Sequence, residues 1–186
     1  MKNVLYRFAA LAGALLLTAS FAVAAPDSQG GLAEQRVGKS VRKALVTLPF
    51  YGVFDNLAYE VEGDTVTLYG QVVRPSTRSD AERRVSKLDG VSRVVNRIEV
   101  LPLSSFDDSI RRQAYRTVFG TAGLYRYAMG ANPSIHIVVN RGHLTLEGVV
   151  GSEGDSRFAY AAARQVPGVF SVTNNLRVEG REGRAR

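Results

Sequence analysis

The chain has 186 residues, with 24 Lys or Arg against 17 Asp or Glu, and neither Cys nor Trp; that length holds one ordinary domain or two small ones. Without Cys there are no disulfides, no thiol chemistry and no lipoprotein anchor, so stability must come from packed apolar cores. The mild positive excess suits a solvated surface or an anionic partner such as phospholipid headgroups.

The N-terminus comes first. Lys2 and Arg7 precede an uncharged apolar run from Phe8 to Ala19, and Ala22-Val23-Ala24 and Val23-Ala24-Ala25 offer small-residue cleavage sites. This predicts a signal peptide over 1–25 and a periplasmic mature chain, away from nucleic acid. Removing Lys2 and Arg7 takes the formal charge from +7 to +5. No later stretch is apolar enough for a transmembrane segment. Residues 26–33 read as a flexible leader.

From 34 to 48, Val37, Val41, Ala44, Leu45 and Leu48 recur at helical spacing, and Pro49 closes the helix. After the loop "PFYGVFDN", Leu57, Tyr59 and Val61 alternate as a strand. A turn at Glu62-Gly63-Asp64 leads to a second strand over 65–73, which completes a hairpin. "PSTRSDAERRVSKLDG" reads as a helix with Ser79 and Glu82 as a capping box, Ala81, Val85 and Leu88 on one face, and Gly90 to end it. A third strand carries Val91, Val94, Ile98 and Val100, with a change of phase that predicts an irregularity near Val95-Asn96.

The pattern then repeats. A shift of 78 aligns residues 57–101 on 135–179 without a gap, with eleven identities in 45 positions. They include Thr67/Thr145, Leu68/Leu146, Gly70/Gly148, Val72/Val150, Ala81/Ala159, Gly90/Gly168 and Asn96/Asn174. A match that keeps strand and helix phase indicates duplication. The leading helix recurs as "DDSIRRQAYRTVFG", where Asp107 and Asp108 suit the positive end of its dipole. The expected units are 34–101 and 107–179, joined by a short linker at 102–106 that keeps them close, with a basic tail at 180–186. About nine extra residues are expected before the first strand of the second unit.

"VTLYGQV" and "LTLEGVV", with "LDGVSRVVNRIEV" and "VPGVFSVTNNLRV", give both units a resemblance to BON domains. The resemblance covers nearly the whole mature chain and is similar to the osmotically induced periplasmic class. It implies an α/β fold of α+β character: two repeated small domains, each helix–strand–strand–helix–strand, with a mixed three-stranded sheet covered by two helices. It also implies binding of phospholipid or other envelope components, with a place in envelope or osmotic stress protection.

No residue set argues for catalysis, a cofactor or a metal. His136 and His143 lack Cys or a carboxylate cluster nearby and read as exposed strand and turn residues. No nucleophile elbow or phosphate-cradling loop occurs. Asp80/Glu82 and Asp107/Asp108 read as helix-start groups. Gly70 and Gly148 fall on the inward register, where each is expected to let the sheet bend or a helix approach, and Gly70→Val is expected to overpack. With Gly90 and Gly168 they define the fold.

The inserted "GTAGLYRYAMG" is the candidate contact. Leu124, Tyr125, Tyr127 and Met129 surround Arg126, a mix suited to a membrane interface, and Arg111, Arg112 and Arg116 could add charge. Packing over the second core would explain the same residues. Phe50, Tyr51 and Phe54 offer another surface. The expected function is a non-enzymatic periplasmic module contacting anionic phospholipid; the alternative is a protein–protein adaptor in the envelope without lipid affinity.

Overall fold

The computed structural model describes residues 28–130 and 132–180. The expected signal peptide and residues 181–186 of the tail lie outside them. Among the described residues, no helix is long and apolar enough to cross a membrane.

The first unit runs α1 (Ser28–Val46), β1 (Asn56–Glu62), β2 (Thr65–Val72), α2 (Pro75–Val85), β3 (Arg93–Asn96) and β4 (Glu99–Val100). The second runs α3 (Ser105–Phe119), a 3₁₀ turn (Leu124–Ala128), β5 (Ile135–Asn140), β6 (His143–Val150), α4 (Glu153–Ala163) and β7 (Ser171–Val178). In each, a hairpin is extended by a parallel strand beyond the second helix: β1–β2 antiparallel with β3 and β4 parallel to β2, then β5–β6 antiparallel with β7 parallel to β6. The mixed sheets and two-helix layers are as the sequence predicts.

Packing explains the pattern. Val37, Val41 and Leu45 of α1 meet Val66, Leu68 and Val72 of β2 and Ala81 and Val85 of α2 in one buried cluster. Ile110, Ala114 and Val118 of α3 meet Leu144, Leu146 and Val150 of β6 and Ala159 and Ala163 of α4 in the other.

The third strand of unit one breaks at Arg97-Ile98, next to the expected irregularity, although Leu68↔Asn96 and Gln71↔Glu99 keep one register across the break. Arg97 N–H reaches Leu68 O at 2.8 Å, so the Ile98 N–H points out of the sheet, where Asn96 Oδ1 accepts it at 3.1 Å. Asn174 does the same for Leu176 N–H at 3.3 Å. Both side chains also donate to their helix, Asn96 to Arg78 O and Asn174 to Ser156 Oγ.

Gly70 and Gly148 sit at φ 114° and 120°. A Cβ on either would overlap a carbonyl oxygen of the neighbouring strand segment, that of Asn56 or Ser134. They admit the backbone of the neighbouring strand segment. The helix contact belongs to the other pair: a Cβ on Gly90 would meet Val37 at 3.0 Å, and one on Gly168 would meet Phe106 at 3.3 Å.

Several local expectations change. Helix α1 starts at Ser28, inside the expected leader. Helix α2 starts at Pro75, four residues before Ser79, because proline at the first helical position is already pre-set for the helix. Ser79 therefore makes no capping box; its hydroxyl bonds back to Ser76 O, and Glu82 accepts from Asn96. Asp80 sits mid-helix and pairs with Arg83. Helix α3 starts at Ser105, with Ser104 as its cap. The connection 120–134 exceeds its counterpart 47–55 by six residues, fewer than the nine expected.

Each leading helix pins its own hairpin turn. Glu34 accepts from Gly63 N–H at 2.9 Å on the surface. Asp107, fully buried, accepts from Arg141 and Gly142 N–H at 2.9 and 2.8 Å. Asp107 thus holds a turn as well as facing a helix dipole.

Candidate functional site

The two connections between leading helix and first strand diverge. In unit one, residues 51–55 fold onto β5 of unit two. Val53 O accepts from Ile137 N–H at 2.7 Å, and Val53 and Phe54 pack against the second core. His136 lies beneath this loop, 8% exposed. Its Nδ1 is 3.2 Å from Gly52 O, its Nε2 3.4 Å from the Tyr51 hydroxyl, and the two rings stack at 5.3 Å. The expectation of an exposed His136 fails because another unit covers the outward face of β5. His143 is exposed as expected, bonded to Ser171 Oγ at 2.7 Å.

Burial sets the electrostatics of this joint. Desolvation lowers the His136 pKa and pushes Tyr51 up to about 12. Asp55 is 4% exposed and holds Gly52 and Val73 N–H; desolvation raises its pKa from the ordinary carboxylate value. Of the aromatics considered as another surface, Tyr51 and Phe54 belong to the joint. Phe50 is 63% exposed, with the Arg74 guanidinium 4.7 Å above its ring.

In unit two the longer connection turns at Ala122 and Gly123, both at positive φ, and winds into the 3₁₀ turn. Leu124 is the anchor, fully buried in the second core. Arg126 lies against the Tyr127 ring and donates to Asp155 Oδ1 at 2.7 Å. The Tyr127 hydroxyl donates to Asp155 Oδ2 at 2.9 Å and accepts from Gly151 N–H at 2.8 Å. Ser152, the cap of α4, also donates to Asp155 and is the chief cause of its lowered pKa. This network fixes the segment on α4.

The eight predicted contact residues therefore separate. Leu124 and Arg111 are buried, and Arg111 is spent on Asp108 and on Val139 O at 2.6 Å, so neither can meet a partner. Arg126 and Tyr127 serve the Asp155 network. Tyr125 and Met129 are 63% and 66% exposed, and Arg112 and Arg116 are exposed on α3. Tyr125, Met129, Tyr115, Phe119, Ala128 and Arg116 line a shallow groove of about 450 Å³. Sequence reading missed Tyr115 and Phe119, whose i, i+4 spacing on α3 was the available signal. Phe119 stacks edge-on to Tyr115, which meets Phe54 of unit one.

Among the described residues, no group of three or more His, Asp or Glu could hold a metal.

A family model for the BON domain matches residues 34–102 and again 108–180. No curated protein matches the sequence. Among solved structures, the C-terminal domain of CdsD, the structural protein of the type III secretion system of Chlamydia trachomatis, aligns at 9% identity over 75% of this chain and 96% of that chain, with a TM-score of 0.32. A second structural study of CdsD aligns at 13% identity over 80% and 95%, with a TM-score of 0.28. Likenesses that loose carry no argument about architecture or role. The two family matches cover most of the sequence, and the protein belongs to the BON-domain family, with two such domains in tandem.

Proposed function

We propose that this protein is a non-enzymatic binding module of the cell envelope that seats the groove of its second BON domain at a phospholipid surface. The observation behind this reading is the exposure of Tyr125 and Met129 in one groove with Arg116, with Arg112 exposed one turn earlier on α3, on a segment locked down by Leu124 and the Asp155 network. Exposed apolar groups on a rigid mount suit an interface where rings sit at headgroup level and guanidinium groups meet phosphate. A periplasmic location and a part in envelope or osmotic stress protection fit the predicted signal peptide.

The chain has no Trp, so Tyr125→Trp supplies a sole indole reporter. Its emission is expected to shift to the blue on titration with anionic vesicles. An unshifted spectrum at saturating vesicle concentration would overturn the assignment.

A second reading, an envelope adaptor without lipid affinity, draws on a separate cluster. Leu103, Phe106 and Phe170 are 98%, 46% and 69% exposed, and the two rings stack at 5.9 Å near the start of α3. Phe106→Ser with Phe170→Ser should then abolish capture of envelope proteins while leaving vesicle binding unchanged.

A further inference from the structure

The positive charge is not dispersed over unit one. Helices α1 and α2 carry seven cations (Arg36, Lys39, Arg42, Lys43, Arg78, Arg83, Arg84) against three carboxylates (Glu34, Asp80, Glu82). Each carboxylate is already engaged: Glu34 on Gly63 N–H, Asp80 on Arg83 and Glu82 on Asn96. The rest of residues 34–101 carries four cations against six carboxylates, with Glu60, Glu62 and Asp64 exposed at the hairpin tip. Unit one is thus electrically polarised, its helical layer positive and its hairpin negative.

The positive layer is ordered. Leu32, Arg36, Lys39 and Lys43 follow one another at i, i+4, i+7 and i+11, a single stripe on α1. Thr47 continues it and accepts from Arg84 of α2 through both its carbonyl, at 3.0 Å, and its hydroxyl, at 2.9 Å. Leu32 is 61% exposed and shares a surface hollow with Arg36 and Lys39. Among the described residues, none of Arg36, Lys39, Arg42, Lys43 and Arg84 forms an ion pair; the pairs are Arg83–Asp80, Arg111–Asp108 and Arg126–Asp155. A leucine set within unpaired cations matches an anionic bilayer, where cations meet headgroups and an aliphatic side chain enters the boundary.

We infer that the α1 stripe of unit one, Leu32, Arg36, Lys39 and Lys43, is a second membrane contact that captures an anionic bilayer electrostatically and turns the acidic hairpin away from it. This rests on the reading that the protein meets a phospholipid surface, and it assigns capture to unit one and apolar seating to unit two.

Full-length protein is titrated with vesicles containing a fixed fraction of anionic lipid, at low and high salt. Lys39→Gln with Lys43→Gln should weaken binding about thirtyfold at low salt, on roughly 1 kcal/mol for each cation near the surface. Arg93→Gln with Arg97→Gln removes the same charge away from the stripe and should change binding less than threefold. Leu32→Ser should cause a loss that salt does not alter. Equal losses from the two charge pairs would mean that only net charge acts, and would overturn the inference. Binding unchanged in the Lys39/Lys43 variant but lost in Tyr125→Ser with Met129→Ser would overturn it and leave the unit-two reading standing. The converse result would sink the unit-two reading and keep the stripe. Wild-type protein that stays off anionic vesicles would overturn both.

Discussion

Two segments hold the same place in the repeat and meet opposite fates. Residues 47–55 of unit one are short; Leu48 stays in the first core, Phe50 is left outside, and Val53 and Phe54 go to the joint with unit two, where Val53 bonds Ile137 and Phe54 joins the second core. Residues 120–134 of unit two are longer; they bury one anchor, Leu124, and leave Tyr125 and Met129 outside. Duplication supplied two equivalent loops. One became the glue between the copies, which left the other available for contact outside the molecule.

That contrast breaks most sharply where the copies should behave alike. Gly70→Val and Gly148→Val each force a β-branched residue into positive φ and against a neighbouring carbonyl, so each should cost about 2–6 kcal/mol from strain and overpacking combined. Denaturant titration checks this, and markedly unequal losses would show that the glycines are not doing one job twice.

The helix-to-turn carboxylates come next, as one device at two depths. Asp107→Ala strands two inward N–H groups and should cost about 2–4 kcal/mol, whereas Glu34→Ala on the surface should cost no more than about 0.5 kcal/mol. Thermal melts compare the pair.

The joint itself answers to pH. The docked state lowers the His136 pKa, so His136 supports docking above its ordinary value near 6.5 and opposes it as pH falls below that value. Protonation would also leave Tyr51 with no acceptor at Nε2. Raised Asp55 acts in the opposite sense: its cost grows as pH rises from the ordinary carboxylate value near 3.8, and acid relieves it. Arg74 and Glu147 add charge interactions with Asp55 and His136 respectively. The protection factor of Ile137 N–H, the donor that closes the joint, against hydrogen exchange should therefore fall between pH 7 and 5.5 once intrinsic exchange is divided out, and His136→Phe should remove that fall.

The smallest effect sharpens the comparison from the other side. Tyr125→Ser should leave unfolding free energy within about 0.5 kcal/mol of wild type, because its ring buries little, whereas Leu124→Ala should cost about 2–5 kcal/mol.

The strands and the duplication were legible because alternation and a constant shift of 78 are local facts, carried by residues such as Thr67/Thr145 and Val72/Val150. The Ser79/Glu82 capping box misleads because that pattern lies inside a helix that Pro75 has already opened. The burial of His136 was beyond reach: its register correctly faced away from Ile135 and Ile137, and only the docked loop of another unit shows why that face is dry. The candidate groove was half legible. Its exposed members stood in the insertion, but Arg126 resembles a phosphate ligand until Asp155 is seen beneath it, 29 residues along the chain.

The asparagines at 96 and 174 carry a last consequence. A duplicated small sheet also duplicates outer strands, and such strands invite end-on growth into fibres. By turning Oδ1 onto the outward N–H two residues ahead, each asparagine blunts that strand from within and tethers it to its helix. One N–H of each outer strand is thereby spent inside its own strand and is no longer offered to a neighbouring chain.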